Sequence, residues 1–155
     1  MPSTPSQSYG LPTWLRAAAP GERVGVVGIS MGGAAALLGD SALPVDAMVL
    51  ESVYPTITDA VRDRLRSWLG PAGGIGARLA PMVTRAVGAR AGVGVAELRP
   101  IDHIPAVRAP LLLASGTRDP YTPISEARAL FARATAPREL WEVEGATHED
   151  LYAFD

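Results

Sequence analysis

The sequence contains no cysteine and no lysine. Without cysteine there is no disulfide, no thiolate metal site and no sulfur nucleophile, and an oxidising compartment is neither required nor excluded. All fourteen basic residues are therefore arginine, scattered among sixteen acids for a formal net charge of -2. That balance reads as a solvated surface and offers no basic excess for a nucleic acid partner. Long apolar runs are also lacking. The most apolar stretch, "VVGISMGGAAALLG", is broken by glycine and stops at Asp40, short of the roughly eighteen apolar residues that suggest a membrane span. The opening "MPSTPSQSYG" has neither the basic nor the apolar region of a signal peptide. The expectation is a cytoplasmic protein with no nucleic acid and no membrane among its partners.

At 155 residues and 48% hydrophobic, the chain suits one domain with a sizeable core and is too short for two. Pro, Ser, Thr and Gly dominate its start, so residues 1–11 read as flexible and 12–155 as the domain. A short helix is expected over "PTWLRAAA", followed by buried strands at "RVGVVGI", "DAMVLES" and "APLLLASG". These are nearly continuous in apolar residues, as strands covered on both faces are. A fourth strand, "RELWEVEG", alternates Leu140 and Trp141 to opposite faces, which fits a place near an edge. Helical spacing appears over about 57–69 and 75–87, and again in "SEARALFARAT". Residues 56–98 form a cap-like segment in this reading, with Trp68 and Met82 as core residues. Strands alternating with helices predict an α/β fold, a parallel sheet covered by helices, with every strand's C-terminal end on one edge.

Three residues fall at that edge. Gly28 and Gly32 bracket Ser30 in a G-x-S-x-G pattern between a strand and a helix. A sharp turn there raises the serine side chain, and bulky flanking residues would collide with the strand or helix. A helix N-terminus also favours developing negative charge. A phosphate loop fits poorly, because no Walker lysine is present. A serine nucleophile needs a base, and only two histidines exist. His148, in "VEGATHEDL", follows the fourth strand and lies at the active edge; His103 precedes the third strand and reads as structural, hydrogen-bonded through Asp102 or packed. The base needs an orienting carboxylate. Asp119, in "LLLASGTRDPYTP", follows the third strand. Glu51, at the end of the second strand, is the rival acid or a supporting residue, whereas Glu149 and Asp150 adjoin His148 too closely in sequence to align on its ring. Tyr54 and Tyr121 are candidate pocket residues near the same edge.

Ser30, Asp119 and His148 stand in the chain order of an α/β-hydrolase triad. With "GISMGG", "VLESVYPTITDAV", "PIDHIPAVRAPLLLASGTRDPYTP" and "ELWEVEGATHEDLY" in view, the chain resembles the C-terminal half of an α/β-hydrolase. It is most similar to serine hydrolases of the Bem46-like and dipeptidyl-peptidase-like branch, over about residues 12–155. The resemblance implies Ser30 as nucleophile, His148 as base, Asp119 as acid and the Met31 amide as one oxyanion donor. It implies no metal or organic cofactor, and a small-molecule ester or amide, or a peptide, as substrate. The family pattern has further strands before the nucleophile strand and a loop giving a second oxyanion donor, so an incomplete fold with an open first-strand edge is expected. That edge would pair with a second copy or with a separately encoded N-terminal half. The alternative reading is a noncatalytic half-domain that binds a partner there.

Overall fold

The computed structural model describes residues 10–39, 41–135 and 137–154. Strands β1 (Gly25–Ile29), β2 (Ala47–Glu51), β3 (Leu111–Gly116) and β4 (Arg138–Val143) are joined by helices. Helix α1 (Gly10–Ala18) precedes β1, and α2 (Met31–Leu37) follows it. Helices α3 (Ile57–Trp68), α4 (Gly73–Ala91) and α5 (Pro100–His103) lie between β2 and β3, and α6 (Ile124–Arg133) joins β3 to β4. The flexible stretch expected over 1–11 lies outside the described residues up to residue 9; α1 is helical from Gly10.

The sheet has the order β1-β2-β3-β4 and is parallel throughout. Its register aligns Val27, Val49, Leu112 and Glu139 on one face, and Leu50, Leu113 and Leu140 on the other. All four C-terminal ends therefore share one edge, as the alternation of elements predicts. Among the described residues, β1 and β4 are the sheet's two outer strands.

The main core occupies one face only. Met48, Leu50, Leu111 and Leu113 pack there against Leu37 of α2, Ile104 just after α5, and Leu130 of α6. Burying each such side chain contributes about 1.5–3 kcal/mol relative to exposure. On the other face a smaller cluster joins Ala114 and Val143 to Ala146 and Leu151, with Phe154 against it. Val27, Ile29 and Trp141 on that face are exposed. The cover predicted for both faces is thus present on one, and on the second only near β3 and β4, among the described residues.

Helix α3 begins where Thr56 caps it, its hydroxyl accepting the Asp59 amide at 3.1 Å. α4 outruns the predicted 75–87 at both ends and stops at Gly92, whose φ of 68° is the left-handed conformation that ends helices. α3 and α4 pack as a hairpin. Trp68 and Met82 correct the sequence reading: they are 70% and 63% exposed. For Met82 the reason is that α4 buries small residues, Gly73, Gly76, Ala77, Ala80, Thr84 and Gly88, with Gly76 set against Leu65 of α3 and Thr84 beside Thr58, so its larger apolar side chains are turned outward.

Candidate active site

Ser30 sits between β1 and α2 with φ 50° and ψ -114°. A non-glycine residue at positive φ costs about 1–3 kcal/mol, so the surroundings must enforce it. They do so by close packing of strand on helix. A Cβ on Gly28 would stand 2.5 Å from Gly33 Cα, and one on Gly33 would meet Val53 Cγ2 at 2.3 Å. The Ser30 amide donates to Glu51 O at 2.8 Å and its carbonyl accepts from Ala34 N at 3.0 Å. Gly32 is a correction: a Cβ there would meet nothing within 4 Å, because the close approach falls one residue later, at Gly33. Ser52, at the end of β2, also has φ 50° and was not anticipated from sequence.

The acid and the base are brought together by two neighbouring loops. After β3, the Thr117 amide donates to Val143 O and the Arg118 amide to Ala146 O, at 3.0 and 2.9 Å. Gly116 lets the loop after β4 lie on the end of β3, since a Cβ there would meet Ala146 O at 2.2 Å. The Thr147 amide donates to Asp150 Oδ1 at 2.6 Å, which shapes the turn bearing His148.

His148 Nε2 lies 3.0 Å from Ser30 Oγ, and His148 Nδ1 lies 2.7 Å from Asp119 Oδ2. Asp119 Oδ1 accepts the amides of Tyr121 and Thr122 at 2.8 and 2.9 Å, and Oδ2 accepts the Thr122 hydroxyl at 2.5 Å. Burial by itself would raise the Asp119 pKa. The hydrogen bonds from His148, Thr122 and the Tyr121 amide outweigh it and hold the carboxyl below its usual value. An ionised carboxylate only accepts, so Nδ1 carries the imidazole proton and Nε2 is left to accept from the serine hydroxyl. The Met31 N–H is the first amide of α2, one of those left without a partner inside the helix.

The remaining predicted residues divide. Tyr121 is at the site: its ring meets the His148 ring edge-on, centroids 5.4 Å apart at 83°. It helps line a cavity of about 320 Å³ with Arg118, Pro120, Thr147, His148 and Glu149. Tyr54 is instead buried in the main core, which corrects its reading as a pocket residue; burial pushes its hydroxyl pKa up. Glu51 reaches Ser30 through its main-chain carbonyl, while the histidine's partner is Asp119. His103 closes α5 ahead of β3, and Asp102 pairs through Oδ2 with Arg99 at 2.5 Å. Two residues were missed. Thr122 completes the shell of Asp119, a role that "DPYT" signals, because an aspartate two or three residues before free amides closes a turn on itself. Arg64 of α3 lies over the Tyr121 ring at 5.4 Å, a contact with no local sequence signal. Among the described residues no cluster of three or more His, Cys, Asp or Glu could hold a metal ion.

No protein-family model and no curated protein sequence matches the chain. Solved structures do. It is 22% identical to the esterase domain of a Rhodothermus marinus protein, with a TM-score of 0.57, over 88% of this chain and 56% of that one. An esterase of Pyrococcus furiosus aligns at 21% identity and TM-score 0.63, over 92% and 52%. The fold is that of the α/β-hydrolases. An acylaminoacyl peptidase of Pyrococcus horikoshii shares it at 19% identity and TM-score 0.57, over 91% of this chain and 22% of that one. This α/β-hydrolase-like chain thus spans about half the length of the two esterases. No helix among its described residues is long and apolar enough to cross a membrane.

Proposed function

We propose that the chain is a serine hydrolase of carboxylic esters or amides, working through an acyl-enzyme in the cytoplasm, of the Bem46-like and dipeptidyl-peptidase-like branch. The observation that carries this reading is the continuous line of contacts from Ser30 Oγ through His148 to Asp119. In the proposed reaction His148 Nε2 takes the Ser30 proton as Oγ bonds to the carbonyl carbon, and the electron pair of the C=O bond moves to oxygen. The Met31 amide donates to that oxyanion. His148 then returns the proton to the leaving alcohol or amine as its bond to carbon breaks. Water, deprotonated by the same nitrogen, releases the acid and restores the serine. Asp119 stabilises the imidazolium without taking its proton.

Loss of one oxyanion donor costs about 2.7–4 kcal/mol of transition-state stabilisation. Labelling reports the nucleophile and its base directly, whatever the substrate. Covalent labelling is therefore the sensitive test. A fluorophosphonate probe should label the full chain saturably, and Ser30→Ala and His148→Ala should abolish labelling while circular dichroism stays unchanged. A well-folded wild type that takes no label would sink the reading.

One observation favours a second reading, a noncatalytic module that self-associates or binds a separate N-terminal half. β1 is an outer strand whose Val27 and Ile29 are exposed, and an apolar outer strand invites pairing. That reading predicts assembly that Ser30→Ala leaves intact and Val27→Lys prevents.

A further inference from the structure

Helix α4 is built the wrong way round for a helix that only completes a core. Its inward face is glycine, alanine and threonine, while Ile75, Leu79, Met82 and Ala86 are all exposed. Spaced by four, three and four residues, these make a single stripe along the outer face of a helix with 3.6 residues per turn. The arginines are placed with respect to that stripe. At the same periodicity Arg78 and Arg85, seven residues apart, run along one border, and Arg90 falls on the other; all three are exposed. At 19 residues the helix is about 28 Å long, and Trp68 and Leu69 are exposed at the turn that leads into it.

Charge makes the face selective. From residue 64 to residue 96 the chain carries five arginines and no acid, although the protein as a whole is formally -2. An apolar stripe flanked by cations is the arrangement of a helix lying in a bilayer interface: the apolar side chains enter the acyl region while arginines extend to lipid phosphates. A second copy fits less well. A two-fold pairing of this face would set arginine against arginine with no acid on the face to answer it.

We propose that the outer face of α4 docks the protein on an anionic lipid bilayer, lying in its surface without crossing it. The sequence reading expected no membrane partner; the outward turn of α4, visible only in the fold, leads to this different conclusion. The proposal is independent of whether Ser30 is a nucleophile.

The test is co-sedimentation of the full chain with phosphatidylcholine vesicles, alone and mixed with phosphatidylglycerol. Binding to the mixed vesicles, weak binding to phosphatidylcholine and release by salt are expected. Each arginine near an anionic surface is worth about fivefold in partitioning, so the triple variant Arg78→Gln, Arg85→Gln, Arg90→Gln should bind roughly a hundredfold more weakly. Met82→Asp should also release the protein. These side chains are exposed, and unchanged circular dichroism and melting would show that the fold persists. No binding to mixed vesicles at low salt, equal binding to both lipids, or an unaffected triple variant would each overturn the proposal. So would a dimer dissolved by Met82→Asp in a protein that ignores vesicles, which would make the face a protein interface.

Discussion

Asp119 and Glu126 stand seven residues apart, either side of the start of α6, and are almost equally buried, at 5% and 6% exposure. Their acidities move in opposite directions. Asp119 accepts from two amides, a hydroxyl and an imidazole, and these hold its pKa down against burial. Glu126 receives the Arg62 guanidinium on Oε1 at 2.9 Å and leaves Oε2 without a partner. Burial, then the neighbouring Asp63 and Asp59, push its pKa up, and Arg62 only partly offsets them. That arginine is shared, since it also holds Asp59 at 2.5 Å and Asp63 at 3.0 Å. Burial alone therefore does not decide the charge of a carboxyl; the number of donors aimed at it does. The well-supplied carboxyl lies where a fixed negative charge is useful to a base. The poorly supplied one ties α3 of the helical hairpin to α6.

The comparison is broken most severely at its first member. Asp119→Asn replaces an acceptor oxygen with a donor facing other donors, and should lower hydrolytic turnover by about 10³–10⁴ if His148 is the base. The pH dependence of its unfolding should change as well. Because the folded pKa of Asp119 is lowered, its contribution to stability is present above the ordinary carboxylate pKa of 3.8. That contribution is lost as pH falls through the lowered value. Wild type should show this acid-side loss in denaturant titrations and the asparagine variant should not.

Next in size is Arg62→Met, which leaves Asp59, Asp63 and Glu126 without their shared cation. A loss of about 2–4 kcal/mol is expected, below the figure for fully buried pairs because Arg62 is itself partly exposed. Urea unfolding at neutral pH measures it, and a loss confined to the noise would mean that water already screens the cluster.

Glu126→Gln sharpens the contrast with the smallest effect and the opposite sign. Above the ordinary value of 4.5 the folded protein holds a proton that the unfolded chain has released, so Glu126 lowers stability as pH rises. The glutamine variant should gain stability over wild type steadily as pH rises from 4 to 8, with no difference near pH 4. A constant difference across that range would remove the pKa shift from the account.

Much of the architecture was legible because it follows from local patterning. Apolar runs bounded by Pro, Gly and charge marked the first three strands, side-chain alternation marked the fourth, and the alternation of elements marked the parallel sheet. The order of Ser30, Asp119 and His148 and their places after strands were equally readable. What escaped the sequence depends on register between distant segments. Gly33 and not Gly32 carries the strand-helix contact, because Val53 arrives there from the end of β2. Thr122 becomes a donor to Asp119 only once the turn closes, and Tyr54 joins the main core only once the sheet and its helices pack together. Trp68 and Met82 looked like core by composition alone.

The sequence by itself determined which residues sit at strand ends, since periodicity and turn chemistry act over a few neighbours. It also determined the absence of thiol chemistry and the arginine-only run through the hairpin. Only the tertiary structure decided which of those residues touch. The 3.0 Å from Ser30 to His148 spans 118 positions of chain, and the outward face of α4 follows from small side chains meeting α3. Such relations arise from packing across the whole domain, where a single Cβ or a one-residue shift changes the neighbour, and no local pattern carries that information.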